Sequence, residues 1–170
     1  MKRTLIISVV ALICAMVMVT GCAKSAIPGR TRFLVNDYAH VLSDEAKTNL
    51  EKTLQGLKND KNIQVEVIVS TFETTGGIPM GEFFTRYLNK WRRGFLFERD
   101  RRVHIIVITK DGMMRIGVGL GIIKDVSTDK ISGIINNLMT PQFQKGNYEM
   151  GIRLGTAAVV NILSNDLKKR

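Results

Sequence analysis

The sequence predicts an α/β fold: a three-layer α-β-α sandwich around a small mixed sheet, with elements in the order α-β-α-β-β-α-α. Three observations predict it. Stretches with apolar residues at helical spacing alternate with short β-branched runs. One of those runs, Val103 to Thr109, is apolar without alternation, which suits a strand covered on both faces. An Asp-Gly pair, Asp111-Gly112, follows it and suits a hairpin, so one strand neighbour is antiparallel.

The first helix starts after Leu42. Ser43 is a capping residue, Asp44 and Glu45 fall in the first turn where the helix dipole favours acids, and Ala46, Leu50, Leu54 and Leu57 share one face. "NDKN" ends it. In "IQVEVIVSTF" Ile63, Val65, Val67 and Val69 alternate with Gln64, Glu66, Ile68 and Ser70, which predicts a strand with one apolar and one mixed face. "TTGG" breaks the strand, and Pro79 begins a second helix whose Phe83, Phe84, Tyr87, Leu88 and Trp91 form an aromatic face. The central strand and the hairpin come next, with "MMRIGVG" as the return strand. A helix from about Thr128 to Met139, ended by Pro141, and another from about Asn147 to Ser164, burying Ile152, Val159, Ile162 and Leu163, complete the order.

The flanks carry a different message. Met1-Lys2-Arg3 precedes an almost unbroken apolar run from Thr4 to Thr20, the build of an export signal. Val19-Thr20-Gly21-Cys22 resembles the bacterial lipobox, by which Cys22 becomes the acylated first residue of a mature lipoprotein and carries palmitate. The resulting division is a signal peptide over 1–21, a lipidated tether over 22–32, a domain over 33–166 and a basic tail over 167–170. Localisation is then extracytoplasmic and lipid-anchored, at the outer membrane in a Gram-negative host because Ala23 is not Asp.

Cleavage removes Lys2 and Arg3 from the 25 basic residues and none of the 15 acids, so the mature chain carries +8. Cys14 leaves with the signal and Cys22 is acylated, so no thiol remains for a disulfide, a nucleophile or a cysteine-based zinc site. The basic residues concentrate in Arg92, Arg93, Arg99, Arg101 and Arg102. For an exported protein such a patch is either a solvated loop with no specific partner or a face for acidic headgroups or phosphorylated glycans, rather than a nucleic-acid site.

Motifs for chemistry are sparse. Gly117, Gly119 and Gly121 are spaced G-x-G-x-G after a hairpin strand, whereas a dinucleotide fingerprint needs G-x-G-x-x-G opening a helix. The glycines instead suit a strand end approached closely by backbone. His40 and His104 have no metal-ligand spacing, and no serine lies in a G-x-S-x-G elbow. Carboxylates remain: Asp37, Asp100, Asp111, Asp125 and Asp129 all fall in loops or at element starts, where they could gather around Ca²⁺ or Mg²⁺ or simply make turns.

"VNDYAHVLSDEAKTNLEKTLQGL", "RDRRVHIIVITKDGMMRIGVGLGI" and "IINNLMTPQFQKGNYEMGIRLGTAAVVNIL" together resemble the TPM domain family over about Leu34 to Leu163. The most specific blocks are V-x-D-x-A-x-x-L-S and P-x-F-x-x-G-x-Y-x-x-G-I. The resemblance implies an α-β-α sandwich, exported and facing a membrane. It also implies relatives that include a lumenal acid phosphatase linked to photosystem repair, receptor accessories, and bacterial members that bind divalent cations at the sheet edge. Asp37 and Asp100 match acidic positions of the family. However, Arg101-Arg102 replace a small residue and glycine, Ile123-Lys124 replace Glu-Gly, and Ser127-Thr128-Asp129 only approximates a Thr-Asp pair.

Two functions follow. The first is a non-catalytic accessory, or assembly and repair factor, for an envelope or membrane protein complex. The second is a weak metal-dependent acid phosphatase using Asp37, Asp100 and Asp129.

Overall fold

The computed structural model describes residues 27–91 and 100–168. Four strands form one sheet in the order β1-β2-β3-β4: β1 (Val35–Asp37), β2 (Glu66–Phe72), β3 (Arg102–Ile108) and β4 (Met113–Val118). The first three are parallel and β4 returns antiparallel to β3. The helices are α1 (Asp44–Asn59), α2 (Met80–Trp91), α3 (Thr128–Ile134), α4 (Thr140–Phe143) and α5 (Tyr148–Leu167), with a π-helical stretch, Ile135–Met139, joining α3 to α4. The fold is the α/β class that the sequence predicts, with β1 added in front.

β1 is three residues long and reads Val-Asn-Asp, too short and too polar for a periodicity signal. It is a strand because of its neighbours. It pairs with Val69 to Thr71, and the Glu51 carboxylate on α1 accepts the amides of Leu34 and Val35. With β1 on one side and β3 on the other, β2 is central, and its residues from Val67 to Phe72 are all buried. The expected mixed face is therefore a second buried face, in which the Ser70 hydroxyl is satisfied by Tyr87 Oη at 2.8 Å.

α2 covers that face. Phe83, Phe84, Tyr87 and Trp91 are buried, Phe83 meets Phe72 edge-on, and Tyr87 and Trp91 both meet His104 edge-on. α1 and α5 lie together on the other side, packed through Leu50, Leu54, Val159 and Leu163 into the same core. Ile162 is only half-buried.

Pro141 does not stop the helix that precedes it. The ladder widens into the π-helical stretch, where Thr140 N and Oγ1 both reach Ile135 O, and Pro141 then sits in the first turn of α4, where its missing N–H costs nothing. The rest of this block is packing. Phe143 is buried against Gly151, where a Cβ would come 2.4 Å from the ring, and the Tyr148 hydroxyl donates to Thr109 O at 2.6 Å.

The expected tether shortens. Ile27 is in the core at 6% exposure, Lys90 Nζ donates to its carbonyl, and Arg30 pairs with Glu66. Packing into the core thus reaches back to Ile27, ahead of the patterned residues that begin at Phe33. At the other end α5 runs to buried Leu167, and Lys168 reaches Asp60 at 3.3 Å. Among the described residues no helix is long and apolar enough to cross a membrane.

Candidate functional site

Parallel pairing gives β1, β2 and β3 a common carboxyl edge and a common amino edge, and the acidic residues divide between the two. Asp37 ends β1 at the carboxyl edge. Its carboxylate accepts the amides of Val41 and Leu42 and the Thr71 hydroxyl, which shapes the loop into α1. Ser43 then caps α1 by accepting Ala46 N, and gives its own amide to Glu149. Asp111 is at the same edge and accepts Thr75 N at 2.9 Å with help from Thr74 and Thr75 hydroxyls, contacts that hold its carboxyl below the usual range.

Asp100 stands at the amino edge, before β3. Asp37 is level with Thr71 and so with Val107. At about 3.3 Å per residue, the chain from Asp100 to Val107 puts roughly 20 Å between the two carboxylates. Asp129 is exposed in the first turn of α3. Asp37 and Asp100 therefore cannot share an ion, whose oxygen ligands lie about 2.0–2.6 Å from it. Among the described residues no three His, Cys, Asp or Glu side chains are placed to hold a metal. Parallel pairing separates the two residues because one follows its strand and the other precedes its strand.

Asp100 is spent locally. Its oxygens accept Arg102 Nε and Nη2 at 2.6 and 2.8 Å, and Arg102 Nη1 donates to Trp91 O. Beyond this pair, Thr85, Leu88, His104, Val118 and Leu120 line a largely apolar cavity of about 290 Å³. His104 is buried with Nδ1 unpartnered, and burial, reinforced by the Arg102 charge, lowers its pKa to about 4, so the imidazole is neutral. It is a core histidine, as its apolar strand suggests. Gly119 at this edge lets the chain pass where a Cβ would lie 2.2 Å from Asp100 O. The glycine-rich run is thus a close-approach device.

The sequence reading missed a third cluster. Glu66 opens β2 and is held by Arg30 at 3.0 Å and Lys58 at 2.9 Å. Burial pushes its carboxyl up, but these cations outweigh it and hold it below the usual range. Nothing in the spacing of residues 30, 58 and 66 signals the cluster, since three different elements bring them together. Of the expected basic patch, Arg101 donates to Ile63 O and Gln64 O, and Arg102 is paired as above. Cys22, Arg92, Arg93 and Arg99 lie outside the described residues.

A sandwich of this topology, with two specific sequence blocks that build its corners, defines a class that comparison can test. The family model described as the TPM domain matches residues 35–162, and the chain belongs to that family. Its fold is similar to those of three proteins solved by NMR. The N-terminal domain of a protein from P. gingivalis aligns at TM-score 0.71 and 25% identity, over 79% of this chain and 84% of that one. The BA42 protein of the psychrophilic Bizionia argentinensis aligns at 0.54 and 21%, over 74% and 83%. The N-terminal domain of cg2496 from Corynebacterium glutamicum aligns at 0.58 and 13%, over 84% and 86%. No curated protein matches the chain.

Proposed function

We propose that this TPM-domain protein is an exported lipoprotein, anchored through Cys22, that serves as a non-catalytic accessory or assembly and repair factor of an envelope or membrane protein complex. The observation that carries the reading is the placement of the acids. Asp37 and Asp100 stand at opposite edges of the sheet, and each is committed to holding the fold. The most specific sequence blocks are likewise spent on caps and packing, as Ser43 and Phe143 illustrate. A phosphatase acting through metal-activated water needs its carboxylates converged on one ion.

The experiment is twofold. Purified mature protein is assayed for phosphomonoester hydrolysis with and without millimolar Ca²⁺ or Mg²⁺, and the anchored protein is crosslinked in intact cells. Background hydrolysis with reproducible capture of one envelope protein supports the reading. Metal-dependent hydrolysis that disappears in Asp37→Ala and Asp100→Ala would replace it with the phosphatase.

A further inference from the structure

The charges of the domain are polarised along the strand direction. Around the amino end of β1 and β2, six cations from four segments come together: Arg30, Arg32, Lys58, Lys61, Lys90 and Arg101. Glu66 sits among them, Glu51 is taken up by the Leu34 and Val35 amides at the start of β1, and the neighbouring Arg102–Asp100 and Lys168–Asp60 pairs neutralise themselves. The helices α1 and α2 also end here, but each helix terminus brings only about half a negative charge. The opposite end of the molecule holds Asp37, Asp44, Glu45, Glu73, Asp111 and Glu149, offset in part by Lys47, Lys110 and Arg153.

Within the basic end, Arg30, Thr31, Arg32, Lys58, Glu66 and Trp91 line a polar cavity of about 180 Å³, in which the Glu66 carboxylate is already held by Arg30 and Lys58. The buried indole N–H of Trp91 has no acceptor among the described residues. One carboxylate, Glu66, thus faces three cationic side chains and the indole N–H, so donors exceed acceptors around the cavity, which is the chemistry that receives an anion.

The same end carries the start of the domain. From Cys22 to Ile27 the chain can extend at most about 17 Å. An acylated Cys22 thus holds Arg30, Arg32 and the cations beside them close to the headgroup layer, where each basic residue gains from an anionic surface. We infer that the amino edge of the sheet is a bilayer-docking face: it rests on anionic headgroups, seats a headgroup phosphate in the Arg30–Lys58–Trp91 cavity, and turns the acidic carboxyl edge away from the membrane. The inference rests on the Cys22 anchor proposed above.

Its test uses the mature acylated chain in phosphatidylcholine vesicles, with or without phosphatidylglycerol. The mature chain has no other thiol, so Asn62→Cys at the basic end and Glu45→Cys near the acidic end each take a single fluorophore. α1 separates the two positions by about 24 Å. On phosphatidylglycerol vesicles, energy transfer to a headgroup-labelled lipid is expected to be about twofold or more stronger from position 62 than from position 45. The difference should vanish on pure phosphatidylcholine, at about 0.5 M salt where the Debye length is only about 4 Å, and in R32E/K61E. It should persist in K52E/K145E, which changes net charge equally at other places. Equal transfer from both positions on anionic vesicles, or equal loss in both double variants, overturns the docking face while leaving the anchor standing. Absence of an acyl group on Cys22 by mass spectrometry overturns the anchor, and the docking face with it.

Discussion

Arg102 and Asp100, two residues apart, grip each other at two points, Nε to Oδ1 at 2.6 Å and Nη2 to Oδ2 at 2.8 Å, while Arg102 Nη1 reaches the Trp91 carbonyl at 2.7 Å. One guanidinium thereby ties the start of β3 to the end of α2 and stands beside the buried His104. Its removal has two readable effects. Arg102→Met should lower stability by about 2 kcal/mol in denaturant unfolding, because it leaves a partly buried carboxylate without its partner. It should also raise the His104 pKa from its value near 4, since Arg102 opposes the imidazolium and Asp100 favours it. A His104 titration by NMR that does not move in the variant would contradict this electrostatic arrangement.

His104 makes the domain sensitive to mild acid. Its folded pKa, about 4, lies below the ordinary value of 6.5, so as pH falls the unfolded chain takes up the proton first. Stability is therefore full above about pH 6.5 and declines toward pH 4, by about 3 kcal/mol from this group. The window lies mostly above the range in which Glu66 and Asp111, with their lowered values, begin to protonate. His104→Phe should flatten the stability profile between pH 6.5 and 4.5, and an unchanged slope would assign the acid sensitivity elsewhere.

The turn and the strand end on either side of β4 are sensitive to added side chains for different reasons. Gly112 has φ +61, so Gly112→Val strains the backbone although the space around it is open. Gly119→Ala drives a Cβ to 2.2 Å from Asp100 O and 3.0 Å from Arg102 O, both main-chain atoms, where only a backbone shift gives relief. Each substitution is expected to cost on the order of 1–3 kcal/mol. Melting temperatures measured side by side check both, and a wild-type value for Gly119→Ala would refute the close approach.

Asp37 offers a clean separation of fold from metal binding. Asp37→Ala removes the acceptor for Val41 N, Leu42 N and Thr71 Oγ1 and should cost about 2 kcal/mol. Millimolar Ca²⁺ should shift the melting temperature of wild type and variant equally little. A calcium shift present in the wild type and absent in the variant would show that Asp37 is a ligand after all.

Local periodicity located four helices and three strands, because burial of one helix face or of a whole strand writes itself into residue spacing: Leu50 and Leu54 in α1, Phe83 and Tyr87 in α2, Ile105 and Ile106 in β3. The Ser43 cap and the Gly112 turn were legible for the same reason, being contacts within a few residues. β1 was not, since three residues have no measurable period and Glu51 and β2 hold it from outside. The continuation through Pro141 was hidden because a π-helical stretch is a response to packing rather than a local preference.

Charge told least. Composition showed a basic mature chain and a set of loop aspartates, but the parallel register of β1, β2 and β3 decided that Asp37 and Asp100 face opposite ends. The meeting of Arg30, Lys58 and Glu66 from three separate elements was equally invisible. Sequence spacing carries which residues share a face of one element. The distance between residues of different elements depends on which strand ends align, and the tertiary structure alone supplies that.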